Sequence, residues 1–161
     1  MALVVGHVSK AQLEARSGSA LAELAHQMAG SLDRGMFERY RQLVLLSDLD
    51  PLRLGTEQRS RELFAQVHET YPEYAWLGVA SPEGRIIAGS GGLLEGQDFS
   101  HESWFRKGAH APYIGDVREA PRLAPMLPGM PLKLLDFAVP LTDSDKRPSG
   151  ILVAQLNWRW A

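Results

Sequence analysis

Ala75-Trp76-Leu77-Gly78-Val79-Ala80-Ser81-Pro82-Glu83-Gly84-Arg85-Ile86-Ile87-Ala88 is the stretch whose reading decides the fold. Two apolar runs flank a polar quartet, and proline at its second position with glycine at its fourth suits a type I turn. The stretch predicts a β-hairpin. Strand chemistry returns at Tyr113-Ile114-Gly115-Asp116-Val117, at Leu134 to Leu141 and at Ile151 to Trp158, the last two joined by the polar turn Thr142 to Gly150. Gly89 to Gly96 reads as a loop, and Ser100 can cap a short helix through Ser103-Trp104-Phe105-Arg106-Lys107. Pro121, Pro125, Pro128 and Pro131 exclude regular structure from a loop of about ten residues.

Upstream of the hairpin the period changes. Leu13, Leu21, Leu24, Met28, Leu32, Met36, Tyr40 and Leu43 recur at helical spacing, the pattern of one buried stripe. A helix from Lys10 to Ser47 is roughly 57 Å long at about 1.5 Å per residue, more than a domain of this size needs, so its stripe must find another surface. Gly18, Gly30 and Gly35 each cost about 1 kcal/mol against alanine, and two helices broken near Gly30 to Gly35 are the other reading. Asp48-Leu49-Asp50-Pro51 is a break. A second helix follows, capped by Thr56, with Leu63, Phe64, Val67 and Tyr71 on one face and Pro72 at its end. Helices first and then five hairpin-linked antiparallel strands make the class α+β.

The chain has 161 residues, room for one domain, with 45% hydrophobic and 22% charged residues. Seventeen basic against nineteen acidic residues leave a net charge of -2, without the basic excess that nucleic acid requires. With no cysteine there is no disulfide, thiolate chemistry, Fe–S cluster or cysteine zinc site. No uninterrupted apolar run approaches the roughly 18 residues of a membrane span, and the start is too short for a signal peptide. The abrupt aromatic ending, Trp158-Arg159-Trp160-Ala161, favours a piece cut from a longer chain.

Catalysis finds no foothold. Ser90 and Ser103 lack a nucleophile-elbow setting, and a triad of Ser103, His101 and Asp116 exists only on paper. His101, Glu102, His110 and Asp116 offer metal-ligand types, but the two histidines are nine apart, which fits no helical ligand pair. Gly89-Ser90-Gly91-Gly92 lacks the lysine and the helix of a phosphate loop. No catalytic residue, metal ligand or cofactor is predicted. What remains is an aromatic and polar cluster: Trp104, Phe105 and Tyr113 near His101, Arg106, Lys107, His110, Asp116 and Arg118. An apolar pocket with a few convergent polar groups is how small-molecule sites are built. The plainer reading is that the rings seal a helix onto the sheet. As helix neighbours, Trp104 and Phe105 cannot both point fully inward.

From about Asp33 onward this order of motifs resembles a Cache domain, the PAS-like extracellular sensor module of bacterial membrane receptors. The resemblance rests on the hairpin Trp76 to Ser90, on Asp98-Phe99-Ser100-His101-Glu102-Ser103-Trp104-Phe105, on Tyr113 to Val117, and on Phe137-Ala138-Val139-Pro140-Leu141 followed by Gly150 to Leu156. It implies a long N-terminal helical region over 1–55, packed on a single module with a five-stranded antiparallel PAS-like sheet over 56–161. It also implies transmembrane helices flanking the chain, a parallel homodimer, and a periplasmic or extracellular location as part of an inner-membrane protein. The output, a histidine kinase, diguanylate cyclase or chemoreceptor signalling domain, lies outside the chain.

The family's pocket residues fall here on Trp104, Phe105, Tyr113 and Asp116, with Asp136 at a position that can meet a ligand amine. Amino-acid-sensing members carry arginine where this chain has Glu102, so Glu102, Asp116 and Asp136 suit a cationic or hydroxylated ligand. His101, Arg106 and Lys133 can still receive a carboxylate, which keeps amines, amino acids and organic acids all open. The implied function is ligand sensing. The alternative is a ligand-free module of the same fold that relays signals through a protein partner.

Overall fold

Five apolar segments, each bounded by turn residues, assemble into one antiparallel sheet. The structure is a computed structural model and describes residues 3–129 and 133–157. Strands β1 (Tyr74–Ala80), β2 (Ile86–Gly89), β3 (Tyr113–Glu119), β4 (Lys133–Thr142) and β5 (Pro148–Asn157) lie in the order β2-β1-β5-β4-β3, every neighbour antiparallel. The α+β class and the five-stranded sheet are those the sequence predicts. The hairpin turn closes through Gly84 N–H donating to the Ser81 carbonyl at 2.9 Å. Gly84 takes φ +92°, a conformation that only glycine adopts without strain. Strands β1, β4 and β5 are buried on both faces and so read as continuous apolar runs.

Register sorts the side chains. Trp76 pairs with Gln155, Ala80 with Ile151, Asp136 with Gln155 and Ala138 with Val153, so all of these share one face. Leu77, Val79, Leu152, Ala154, Leu135, Phe137 and Val139 point the other way. Helix α2 (Asp50–Arg53) contacts β4, and α3 (Glu57–Thr70) contacts β1 and β2. Thr56 caps α3 as predicted, its Oγ1 accepting from Arg59 N at 3.4 Å, and the helix ends before Pro72. Its inward stripe is narrower than predicted: Phe64 and Val67 are buried, Leu63 half-buried and Tyr71 exposed.

The opposite face is covered by α4 (Ser103–Gly108) and by the proline-rich loop, whose Ala120 and Leu123 join the buried cluster with Trp104. Gly108 presses α4 onto β4, since a Cβ there would stand 2.6 Å from the Ala138 Cβ. Ser100 does not cap this helix. Glu102 holds the cap position without a side-chain bond, while Ser100 N–H is taken by Asp98 Oδ1 at 2.8 Å. Asp98 instead closes a local turn onto Ser100, and the cap position falls two residues after Ser100.

Helix α1 (Leu3–Ser47) is 45 residues long and continues through Gly18, Gly30 and Gly35, so the unbroken reading holds. Packing divides the chain into two units, Met1–Glu38 and Arg39–Ala161. In the first, Leu21 and Leu24 are 67% and 53% exposed, so that part of the predicted buried stripe is not buried. Local pairs such as Gln27 Nε2 to Glu23 Oε1 at 3.2 Å support the helix there. In the second unit Leu43 is fully buried, Arg39 pairs with Glu73, and Tyr74 donates to Gln42 Oε1 at 3.1 Å. Burial pushes the Tyr74 hydroxyl up to about 12. The side chains of Leu13, Met28 and Leu32, together with Pro131 and Trp158, lie outside the described residues.

A bidentate pair fastens α3 to the loop after β2. Arg61 Nε and Nη2 reach Glu95 Oε1 and Oε2 at 2.7 and 2.8 Å, and Glu95 also accepts from Gly89 N at 3.0 Å. The Arg61 guanidinium holds the Glu95 carboxyl below its ordinary 4.5. A depressed carboxylate adds stability above its unfolded value, and that contribution disappears as pH falls through the folded one. Glu95→Gln is therefore expected to be less stable than the parent at about pH 6. The two should converge toward about pH 3 in urea denaturation. A gap that stays constant over that range would contradict this account.

Candidate functional site

The face under α4 is built around indole rings. Trp76 spreads over Gly78, where a Cβ would lie 2.2 Å from its ring, and donates from Nε1 to the Leu93 carbonyl at 3.2 Å. Trp104, 1% exposed, packs 5.8 Å from Phe99 and 6.1 Å edge-on to Phe105. As the helix geometry requires, only one of the adjacent pair is fully inward: Phe105 is half-buried. Tyr113 leans over Gly115 with Lys107 Nζ 5.3 Å from its ring centre.

Into this apolar face β4 and β5 each place a polar side chain. Asp136 is 3% and Gln155 6% exposed, a burial that costs several kcal/mol unless the groups find partners. Gln155 Nε2 donates to Asp136 Oδ1 at 2.9 Å, and Arg118 Nε donates to Asp136 Oδ2 at 2.5 Å. The same guanidinium reaches Glu102 Oε2 at 3.3 Å through Nη2 and the Glu119 carbonyl at 3.4 Å through Nη1. Arg118 thus ties the start of α4 to the middle of β4. Trp104 Nε1 and Gln155 Oε1 are buried without a partner among the described residues. A cavity of about 40 Å³ lies between Leu94, Phe99, Glu102, Arg118, Leu123 and Gln155. That is room for a few waters, well short of the about 300–1,000 Å³ of drug-sized sites.

The residues predicted from sequence divide accordingly. Trp104, Phe105, Tyr113, Glu102 and Asp136 gather on or around this face. His101, Arg106 and Lys133 are exposed. Asp116 is exposed within the β3 irregularity between Ile114 and Val117, and makes no hydrogen bond or ion pair among the described residues. Its position relative to the sheet follows from that bulge, which strict alternation from Tyr113 does not anticipate. Gln155 was invisible as a site residue, although a glutamine inside Ile151-Leu152-Val153-Ala154-Gln155-Leu156 is the signal that could have found it. Arg118 stood in the polar cluster without a role; its partner lies 18 residues away. Among the described residues no group of His, Asp and Glu is arranged to hold a metal ion, and no helix is long and apolar enough to cross a membrane.

No protein-family model matches the sequence, and no curated protein matches it significantly. Solved structures do match. The chain is similar to the extracellular domain assigned to the histidine kinase rpHK1S-Z16, with 15% identity and a TM-score of 0.68 over 86% of this chain and 56% of that one. It is similar to the sensor domain of the Vibrio cholerae histidine kinase DctB, with 15% identity and a TM-score of 0.52 over 63% of this chain and 37% of that one. It is also similar to the ligand-binding domain of the Pseudomonas aeruginosa PAO1 amino acid chemoreceptor PctC in complex with GABA, with 13% identity and a TM-score of 0.52 over 81% of this chain and 57% of that one. The fold is therefore the PAS-like, Cache-type fold of these sensor domains, and the chain spans about 37–57% of their lengths.

The cluster makes two carboxylates on one arginine unequal. Arg118→Ala strips the buried Asp136 of its cationic partner and is expected to cost about 1–3 kcal/mol. Glu102→Ala removes only a half-exposed pair and should cost less than about 1 kcal/mol. Thermal or urea denaturation of both variants checks the ranking, and equal losses would contradict it.

Proposed function

We propose that this chain is the extracytoplasmic small-molecule-sensing domain of a transmembrane receptor. Its output, a histidine kinase, diguanylate cyclase or chemoreceptor signalling domain, belongs to the longer protein. The observation that carries this reading is the buried polar pair Asp136–Gln155, with its guanidinium clamp, beside a cavity on the α4 face of a sensor-type sheet. Buried polar groups with unspent hydrogen-bonding capacity beside apolar walls are the makings of a ligand site. The GABA-bound chemoreceptor domain supports the analogy at the level of fold. The chain itself is read as non-enzymatic, with Trp104, Phe105, Tyr113, Asp136 and Glu102 forming the site and Asp116, His101 and Arg106 at its outer side.

The mechanism follows from connectivity. Gln155 sits on β5, which runs to Asn157, and in the proposed receptor a membrane segment follows that strand. A ligand that settles against Gln155 and the proline-rich loop favours one arrangement of that loop and strand. Each tenfold preference between arrangements supplies about 1.4 kcal/mol to the output. Parallel pairing of two α1 helices through Leu21 and Leu24 would cover the exposed stripe and make the dimer the signalling unit. A second reading, a ligand-free relay module bound to a protein partner, is favoured by one observation: Trp76, Trp104 and Phe99 are buried on this face, and the cavity beside Gln155 is about 40 Å³.

A thermal-shift screen against amines, amino acids, organic acids, purines and sugars separates the two. A ligand at about 100 times its Kd adds about 2.7 kcal/mol, a rise of roughly 5–11 °C for a domain of this size. The rise is expected to be lost in Trp104→Ala and, where that variant folds poorly, in the half-buried Tyr113→Ala. A flat screen on well-folded protein would transfer the weight to the relay module. Sedimentation over a concentration series is expected to show a dimer that Leu21→Glu dissociates; a strict monomer throughout would remove the pairing.

A further inference from the structure

The cavity beside Gln155 carries a statement about ligand class that deepens the sensing reading and rests on it. The Gln155 amide has a fixed orientation. A carboxylate only accepts hydrogen bonds, so the Asp136 side must receive Nε2, at 2.9 Å, and Oε1 is turned away from it. Oε1 is left buried and without a partner among the described residues, on a side chain that lines the cavity. An orphaned buried acceptor is costly, and it is relieved by one incoming N–H or O–H donor.

Charge around the cavity is already settled. Arg118 turns each of its nitrogens to a partner, Asp136, Glu102 or the Glu119 carbonyl, and its single positive charge is shared between two carboxylates, which makes it a weak anchor for an incoming third. Glu102 and Asp136 stand beside it and repel anions. Arg122, the other cation at the cavity, lies 4.4 Å over the Phe99 ring and donates to the Asp98 carbonyl at 2.7 Å. Glu102 and Asp136 both meet Arg118, and Arg122 adds a second positive charge at the cavity wall. A free ammonium placed there would stand beside two guanidiniums, and both carboxylates already have a cationic partner.

We propose that the cavity takes an uncharged hydrogen-bond donor, the primary amide or hydroxyl end of a small molecule, held by Gln155 Oε1, and that it excludes free carboxylates and ammonium ions. At about 40 Å³ the volume fits a group of a few heavy atoms. Of the cationic or hydroxylated ligand that the acidic residues alone suggest, the reading keeps the hydroxylated one and runs against the cationic one, because that count leaves out Arg118 and Arg122.

Propionamide, propionate and propylammonium have nearly the same shape and differ in charge, so they isolate the claim. Each is titrated into isotope-labelled protein while the backbone amide resonances of Ala120, Leu123 and Gln155 are followed. Propionamide is expected to shift them saturably and to bind at least about tenfold more tightly than either ion. Ala120→Leu, which fills the cavity and leaves every polar partner in place, is expected to abolish the shifts, with Ala120→Val as the milder version should the first fold poorly. Equal or tighter binding of either ion overturns the proposal, as do propionamide shifts that survive the filling substitution, or no shift with propionamide at all. Where a charged ligand emerges from the wider thermal screen, the sensing reading stands and only this ligand class falls. A flat wider screen removes both.

Discussion

A strand paired on both edges and buried on both faces has nowhere to expose anything, and the rest of this molecule answers to that constraint. Strand β5 lies between β1 and β4, and Leu152, Val153, Ala154 and Leu156 are fully buried within it. Such a strand needs a cover on each side of the sheet. The helices that precede β1 supply one cover, through Phe64, Val67, Leu52 and Leu43. The other comes from the segment between β2 and β4. That segment therefore carries a short helix with an inward tryptophan, a glycine at the point of closest approach, and a loop stiffened by prolines. Burial of Trp104 against Phe99, with Phe105 half-buried beside it, offers several kcal/mol of apolar stabilisation, which is what a helix of six residues needs in order to persist.

That second cover is the less complete one, and the polar cluster lies beneath it. Asp136 could not remain in the middle of β4 as an isolated charge, and its neighbours show how the cost is met: an amide from the adjacent strand and a guanidinium from the edge strand. Arg118 is about one-third exposed, so the pair keeps part of its hydration and avoids the full desolvation penalty of a buried ion pair. The guanidinium that meets Glu102 arrives from β3, and it is committed to two carboxylates, Glu102 and Asp136.

What the sequence disclosed follows the range of each interaction. The hairpin 75–88, the Thr56 cap and the stop at Pro72 are set within a few residues and were legible. So were β4 and β5, because double burial leaves an unmistakable apolar run. The helix through Gly30 was open to two readings, since no atom lies within 4 Å of a Cβ added there and propensity had to decide alone. The Ser100 cap is not formed because Asp98 closes a turn onto Ser100 and the helix begins only after Glu102. Asp136, Arg118 and Gln155 were a different case. Each is a lone polar residue whose meaning depends on register across strands 18 or 19 residues apart. A glutamine in an apolar strand and an aspartate in the next are a pair only when the register sets them opposite, as it does here.

The choice between a sensor and a sealed relay turns on whether the cover can move. Leu94 argues that it can. A leucine at φ +66° sits in a left-handed conformation that costs about 1–2 kcal/mol, and it does so while buried at the wall of the cavity. A segment that existed only to seal the sheet would have no reason to keep that strain, because Gly91, Gly92 and Gly96 stand beside it and adopt positive φ without strain. The strain, the orphaned Gln155 oxygen and the unpaired Trp104 N–H all lie in the cover or directly beneath it. Each is a small deficit that a tightly sealed core would have eliminated. Together they describe a face held near, but not at, its best packing, which is the state from which a modest binding energy can shift an equilibrium.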